Sequence, residues 1–421
     1  MSGRRHPPLT WTAFVLCLVA GNLLLQLLLG GRGLDNQPVN AYRPTSSDAL
    51  VYIAQAQQAA AGEFYAAFAD GFRPPGYPLF LAVCLRLFAQ PLLAARLIQI
   101  GLTALVIPLA FATLRRALGD PRRAAPGALL VALWLPLYYF SPVLMAESLS
   151  IFLAAVALWL MARAVAAAVA PAAVAPAAVA LGAVAAALVY AKPNHIFLAL
   201  PVAAFLWAGG ARRGAAIFVL TLAAALLPWT AFISAANGRL IPLSTTSGVN
   251  LYLGTGAAGG DDAGDLPSAV AGRLGLVGAP PAARAAAQAA QAALSPSEQD
   301  SLYSGAAAEV WRARPGATAL YGLSKAAHAF GFSLRGGSDA VQVGLFVAAL
   351  AASLWLWRAR RQRPWALFLW VLIAVTALQA FLFLSNQRFK VVVFDLPALL
   401  VIGLAVGEWL GARAGRARNS P

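Results

Sequence analysis

Asp48 and Arg73 are the residues of this chain whose types and setting best suit chemistry. Asp48 opens the run Asp48-Ala-Leu-Val-Tyr52, and Arg73 opens Arg73-Pro-Pro-Gly-Tyr-Pro78, both in a polar stretch after the first apolar run. A well-placed carboxylate can take the proton of a hydroxyl that attacks a carbon bearing a good leaving group. An arginine beside a rigid turn can hold a phosphate in its planar fork of N–H donors. Pro74 and Pro75 fix φ and Gly76 permits close approach, so this turn is suited to holding a cation still. Each residue also has a plainer role. Asp48 precedes a helix predicted over 49–62 and can cap it, which uses one oxygen and is compatible with base chemistry. Arg73 can snorkel from an apolar surface. Asp35, Glu63 and Asp70 are read as solvating the same loop.

Polar residues at other span ends extend the set. Glu147 lies at the outer end of a predicted span, where an acid is costly and tends to be functional. Lys192 is read in the same way or as a snorkelling side chain. Arg388 and Lys390 are two cations at an outer boundary, read as ligands of a lipid phosphate or as interfacial anchors. Ser247-Gly-Val-Asn250 reads as a polar turn in which Asn250 can meet a sugar or a phosphate. No cofactor is identified, and a divalent metal is left open without a ligand pattern that indicates one. His6, His195 and His328 lie far apart, and Cys17 and Cys84 fall in apolar runs. Gly254-Thr-Gly-Ala-Ala-Gly259 fits a dinucleotide-binding pattern, but no strand and helix flank it and Asp261-Asp262 follows directly.

The elements that must position these groups are membrane helices. Of 421 residues, 61% are hydrophobic and 11% charged, with a mean hydropathy of +0.72. A soluble domain carries about 25% charged residues, so this chain is solvated mainly by lipid. Its net charge of +16 would suggest nucleic acid in a soluble protein. Here the basic residues cluster at span ends, where they encode topology, and no nucleic-acid partner is expected. The fold class expected is an all-α polytopic membrane protein. Ten spans are predicted, near 9–30, 93–114, 125–141, 148–165, 172–191, 195–209, 214–235, 340–357, 364–384 and 391–411. Arg115-Arg116, Arg122-Arg123, Arg163, Arg212-Arg213, Arg358 to Arg363 and Arg413 to Arg418 then share one side with Arg4-Arg5, which puts both termini in the cytoplasm. The first run is too long for a cleaved signal and reads as a retained span. Segment 77–90 is short and interrupted by Arg86, so it reads as a helix on the outer surface; counting it as a span gives eleven. Arginine far outnumbers lysine and alanine is abundant, which suggests a GC-rich bacterial genome and hence a bacterial inner membrane.

Three regions follow. Residues 1–235 form a transmembrane catalytic module that includes a first external loop over 31–92. Residues 236–338 form a second external loop. Residues 339–421 form the last spans and a basic tail. Ser295-Pro-Ser-Glu298 has the spacing of a capping box with proline at the first helical position, so a helix is expected from there to about Arg312. Arg314-Pro-Gly316 stops it, and an amphipathic stretch over about 317–331 leads back to the membrane. Residues 256–280 read as a flexible loop.

The ordered motifs resemble a known family. Asp48-x3-Tyr52, Gly62 and Arg73-Pro-Pro-Gly-Tyr77-Pro-Leu-Phe-Leu are similar to the first external loop of the GT-C glycosyltransferases, in the branch of the protein O-mannosyltransferases and lipid A aminoarabinose transferases. Ala94-Ala-Arg96-Leu-Ile, Tyr139 to Leu149 with Glu147, Ala191-Lys-Pro193, Ser247 to Tyr252 and Arg388-Phe-Lys390 follow in the same order. The resemblance implies a polyprenyl-phosphate sugar donor and an extracytoplasmic glycan, lipid or protein acceptor. It implies Asp48 as catalytic base, Arg73 at the donor phosphate and Glu147 orienting donor or acceptor sugar. Tyr52, Tyr77 and Tyr252 lie in the same motifs and are read as substrate-binding with them. Ala49 stands where many relatives carry a second acid, which leaves the subtype open. A phosphate leaving group is already a stable anion, so one base and a cationic cradle suffice without a metal. Two other classes compete. A lipid or polysaccharide transporter would show inverted repeats and midplane polar residues, which are not evident here. An O-antigen-ligase-like enzyme would share the lipid donor and depend on a large late loop.

Overall fold

A computed structural model describes residues 9–29, 47–167, 171–256, 293–333, 338–383 and 390–419. The described residues are helical and contain no strand. In chain order the helices are α1 (Leu9–Leu29), α2 (Ser47–Ala61), α3 (Phe64–Phe68), α4 (Gly76–Leu87), α5 (Pro91–Ala104), α6 (Val106–Leu118), α7 (Pro121–Leu133), α8 (Glu147–Ala166) and α9 (Pro171–Ala191). They continue as α10 (Ala199–Ala208), α11 (Arg212–Asn237), α12 (Ser247–Gly254), α13 (Pro296–Ala313), α14 (Pro315–His328), α15 (Ala340–Leu356), α16 (Arg363–Leu382) and α17 (Leu396–Asn419).

Among the described residues seven helices are long and apolar enough to cross a bilayer: 10–28, 91–118, 147–166, 174–191, 212–237, 360–382 and 391–415. Three shorter apolar segments, 76–87, 193–208 and 340–356, accompany them. The chain is a multi-pass membrane protein. Its helices expose leucines that water would reject, among them Leu24, Leu28, Leu220 and Leu227, each more than half exposed and suited to lipid. The expected span over 125–141 is not continuous. α7 stops at Leu133, and a short 3-10 turn over Leu135–Leu137 contains Pro136, which has no N–H to continue a helix. Residues 138–146 then run as turns toward α8. The span over 93–114 is longer than predicted and is interrupted at Leu105. Pro108 lies four residues after Ala104 and cannot donate to its carbonyl.

Local signals set most ends. Gly119 (φ 76°) and Gly238 (φ 64°) close α6 and α11 in the left-handed conformation. Asp120 and Asp339 cap α7 and α15 through their side chains. The Ser295–Glu298 capping box is present, and α13 ends at Ala313 as the Arg-Pro-Gly signal requires. The stretch 247–250, expected as a turn, instead begins a helix that runs to Gly254.

The basic turns gather at one end of the bundle. Arg123 Nη2 pairs with Glu408 at 2.6 Å, and Gln362 Nε2 donates to Glu408 at 2.8 Å and to the Ala117 carbonyl at 3.2 Å. The α2–α4 loop, the 134–146 turns and the starts of α8 and α15 lie toward the other end, as the chain order of the helices requires. Small residues let the helices approach. A Cβ on Gly127 of α7 would lie 2.8 Å from the Gly403 Cα of α17, and both backbones meet there. Gly127→Ala should therefore cost about 1–3 kcal/mol by overpacking. Gly101→Ala, where nothing lies within 4 Å, should be neutral or slightly stabilising. Thermal unfolding of the two purified variants against wild type checks this.

Candidate functional site

The first turn of α2 carries Asp48, one turn before Tyr52. The carboxylate is inside the helix rather than preceding it, and it faces the turn that follows α3. Arg73 Nη2 donates to Asp48 Oδ1 at 2.8 Å, with both side chains about one quarter exposed. The same guanidinium lies 5.7 Å from the Tyr52 ring and 5.1 Å from the Phe72 ring. Its Nε is buried and has no partner. The two residues singled out from the sequence thus meet, and the arginine retains unused donor capacity.

Gly76 explains the turn. A Cβ there would sit 2.5 Å from the Tyr190 carbonyl carbon at the end of α9. Only glycine lets the Arg73 turn press on this backbone, which leads directly into Lys192. Lys192 Nζ pairs with Glu147 Oε1 at 2.6 Å, and the two side chains are 10% and 1% exposed. Glu147 begins α8 and Lys192 follows the end of α9, so each charge sits at the helix end whose dipole favours it.

A small apolar core lies between the pairs. Tyr52, Tyr77, Leu81, Ala95, Leu144 and Ala146 pack together, the last next to Glu147. Tyr52 and Tyr77 meet edge to face at 4.8 Å. Tyr77 donates its hydroxyl to Gln99 Oε1 at 2.6 Å. Gln99 Nε2 in turn donates to the Ser141 and Val143 carbonyls at 3.0 and 2.7 Å. Gln99 therefore fastens α4 to the turn that delivers Glu147. Sequence reading missed it, although a lone amide inside the apolar run Leu97-Ile-Gln-Ile was the available signal.

The second external loop reaches the first. Thr245 N–H donates to the Gly71 carbonyl at 2.9 Å, its hydroxyl donates to the Asp70 carbonyl at 3.1 Å, and Asn237 Nδ2 donates to the Ala69 carbonyl at 2.8 Å. Asp70 shapes the turn by accepting from the Phe72 N–H at 3.0 Å. Asn250 and Tyr252 do not join the Asp48 pair. Asn250 Nδ2 donates to the Thr246 carbonyl of its own helix start. Tyr252 is fully buried against Tyr303, Ala306 and Ala307 of α13. Lys325 Nζ holds α12 to the end of α16 by donating to the Gly254 and Phe383 carbonyls at 2.5 and 2.8 Å. Burial brings its ammonium down to about 8.

Lys390 lines a separate pocket with Asp339, Gln342 and Tyr139. Arg388 lies outside the described residues, as do Asp35, residues 257–259 of the glycine pattern and most of the loop over 256–280. Among the described residues no group of three or more His, Cys, Asp or Glu side chains could hold a metal.

The helical fold is similar to that of a solved membrane oligosaccharyltransferase. The solved oligosaccharyltransferase of Archaeoglobus fulgidus, tethered with an acceptor peptide, matches 93% of this chain with a TM-score of 0.52 and 13% identity. The match covers 49% of that enzyme, so the chain spans about half its length. ArnT from Cupriavidus metallidurans bound to undecaprenyl phosphate aligns over 98% of this chain and 80% of its own, with a TM-score of 0.45 and 18% identity. At 13% identity the likeness to the oligosaccharyltransferase is one of fold. No family model and no curated protein matches the chain.

The buried pair yields a prediction. Lys192→Met strands the Glu147 carboxylate, which costs about 3–5 kcal/mol when the partner of a buried ion pair is removed. The thermal midpoint of the purified variant should fall. The double variant Glu147→Gln/Lys192→Met, which buries no net charge, should recover most of it.

Proposed function

We propose that this chain is a GT-C-type glycosyltransferase that moves a sugar from a polyprenyl-phosphate donor to a hydroxyl-bearing acceptor outside the cytoplasm. The single observation that carries the reading is the Asp48–Arg73 pair, a base candidate bonded to an arginine whose Nε is buried and unused. The acceptor hydroxyl attacks the anomeric carbon of the donor. A new glycosidic C–O bond forms, and the bond from the anomeric carbon to the phosphate oxygen breaks. The electron pair leaves with the polyprenyl phosphate, and Asp48 takes the hydroxyl proton. Arg73 meets the phosphate, where charge accumulates as the bond breaks. Glu147, held by Lys192, orients the sugar, and Tyr52 and Tyr77 form the packed wall behind Asp48. The donor class is supported by the fit of a cationic cradle to an anionic leaving group and by the first-loop motif.

The test uses purified protein and a set of synthetic polyprenyl-phosphate monosaccharides, with release of polyprenyl phosphate read by mass spectrometry. Wild type should consume at least one donor. Asp48→Asn should lower the rate by about 10²–10⁴-fold, the usual contribution of a general base, at unchanged folded yield. Arg73→Ala should raise the donor KM. Retained turnover in Asp48→Asn would remove the base assignment.

A further inference from the structure

The pocket at Lys390 is built from three parts of the chain. Leu135, Pro136, Tyr139 and Phe140 come from the turn after α7, Asp339 and Gln342 from the start of α15, and Lys390 and Val391 from the start of the last span. Its volume is about 360 Å³, within the range of about 300–1,000 Å³ common for small-molecule sites. Lys390 is 3% exposed, and its Nζ has no hydrogen-bond partner. A buried ammonium in that state is costly, so something must compensate it. Asp395 and Asp339 act on it electrostatically, and neither bonds it directly. Asp395 is engaged from behind, with Oδ2 accepting from Trp134 Nε1 at 2.8 Å. Asp339 caps α15 by accepting from the Gln342 N–H at 3.1 Å.

This charge pattern selects among ligands. A phosphodiester offers only acceptors and would face the Asp339 carboxylate beside a single ammonium. A hydroxyl accepts from Nζ and donates to a carboxylate, so neighbouring hydroxyls of one ring can bridge the gap that the side chains leave. Tyr139, nearly half exposed, stands edge-on to Phe140 at 5.3 Å and supplies an aromatic wall for the C–H face of such a ring. The wall is tied to the Glu147 turn, because Ser148 Oγ donates to the Phe140 carbonyl at 3.1 Å.

We propose that the pocket formed by Tyr139, Phe140, Asp339, Gln342 and Lys390 is a subsite for an uncharged, polyhydroxylated sugar ring, rather than for the lipid phosphate that the cation alone suggests. The choice of carbohydrate rests on the glycosyltransferase reading, but binding to the pocket does not require turnover. The ring is either the sugar of the donor or a sugar of the acceptor.

The test is saturation-transfer NMR on the full chain in phosphatidylcholine nanodiscs, with neutral methyl glycosides and inorganic phosphate as probes. At least one methyl glycoside should give a signal at millimolar concentration. Lys390→Met and Tyr139→Ala should each reduce it at least fivefold, and inorganic phosphate should not compete. Tyr139→Ala removes no charge and should keep the thermal midpoint of wild type, so its loss of signal reports the ligand, whereas Lys390→Met also takes the ammonium away from buried Asp395 and is read beside its own midpoint. Displacement of the glycoside by phosphate, or a signal indifferent to both substitutions, would overturn the subsite. A polyprenyl-phosphate monosaccharide that displaces the glycoside assigns the ring to the donor, and joint binding assigns it to the acceptor. Glycoside binding that persists in a protein unable to release polyprenyl phosphate from any donor would sink the transfer reading and leave the subsite standing.

Discussion

The 2.6 Å contact between Lys192 and Glu147 is the constraint around which the site end of this bundle closes. Two charges withdrawn from water lose several kcal/mol of solvation each, and only close geometry and added polar partners return it. The helices supply part of that. The carboxylate occupies the first turn of α8 and the ammonium follows the last turn of α9, so both backbone dipoles favour the pair. Closure supplies the rest. The Arg73 turn settles on the end of α9 through Gly76, and Gln99 draws the 141–143 turn against α4. Ion pair and first loop thus need each other, since the loop excludes water and the pair fixes the helix ends on which the loop rests.

That arrangement explains why the polar groups at this end do not scatter. Several of them are joined by hydrogen bonds between segments far apart in the chain. Trp134 to Asp395 and Thr245 to Gly71 are further examples. In a lipid-solvated bundle these bonds do what an apolar core does in water, because packing of apolar side chains against lipid or against protein differs little in free energy. The remaining cohesion comes from close backbone approach, as where Gly127 meets Gly403.

Features governed by neighbours in sequence were readable in advance. The capping box at Ser295, the stop at Arg314 and the rigid turn at Arg73 follow from dihedral preferences of a few residues. Asp48 and Arg73 are each singled out by the sequence, but their direct bond is not, because two residues 25 apart can meet in many ways. Gln99 and Asp395 are single polar residues in apolar runs, and their partners come from distant turns of the chain. Tyr252 shows the opposite failure. An aromatic side chain in a polar motif can stack on a ligand or fill a core, and here α13 takes it. The span over 125–141 was overextended because hydropathy does not register that Pro136 lacks an N–H.

The bond between Asp48 and Arg73 bears on base catalysis, since the guanidinium already occupies one of the carboxylate oxygens that would take a proton. The charge flow of the proposed transfer accommodates that contact. A polyprenyl-phosphate sugar carries one negative charge on its diester, and the departing monoester gains a second as the glycosidic bond breaks. In the same step Asp48 accepts a proton and loses its own charge. Negative charge therefore moves from one side of Arg73 to the other, and the total around the guanidinium is conserved. In a partly desolvated site that conservation matters, because creating a new unpaired charge there costs far more than in water. Arginine suits the exchange through its geometry. Its fork presents several N–H groups at once, so it can keep one on the carboxylate while another meets the phosphate. In this structure one Nη donates to Asp48 and Nε has no hydrogen-bond partner, so the fork is not saturated. A lysine at the same place would offer a single point charge and would have to leave one partner to serve the other.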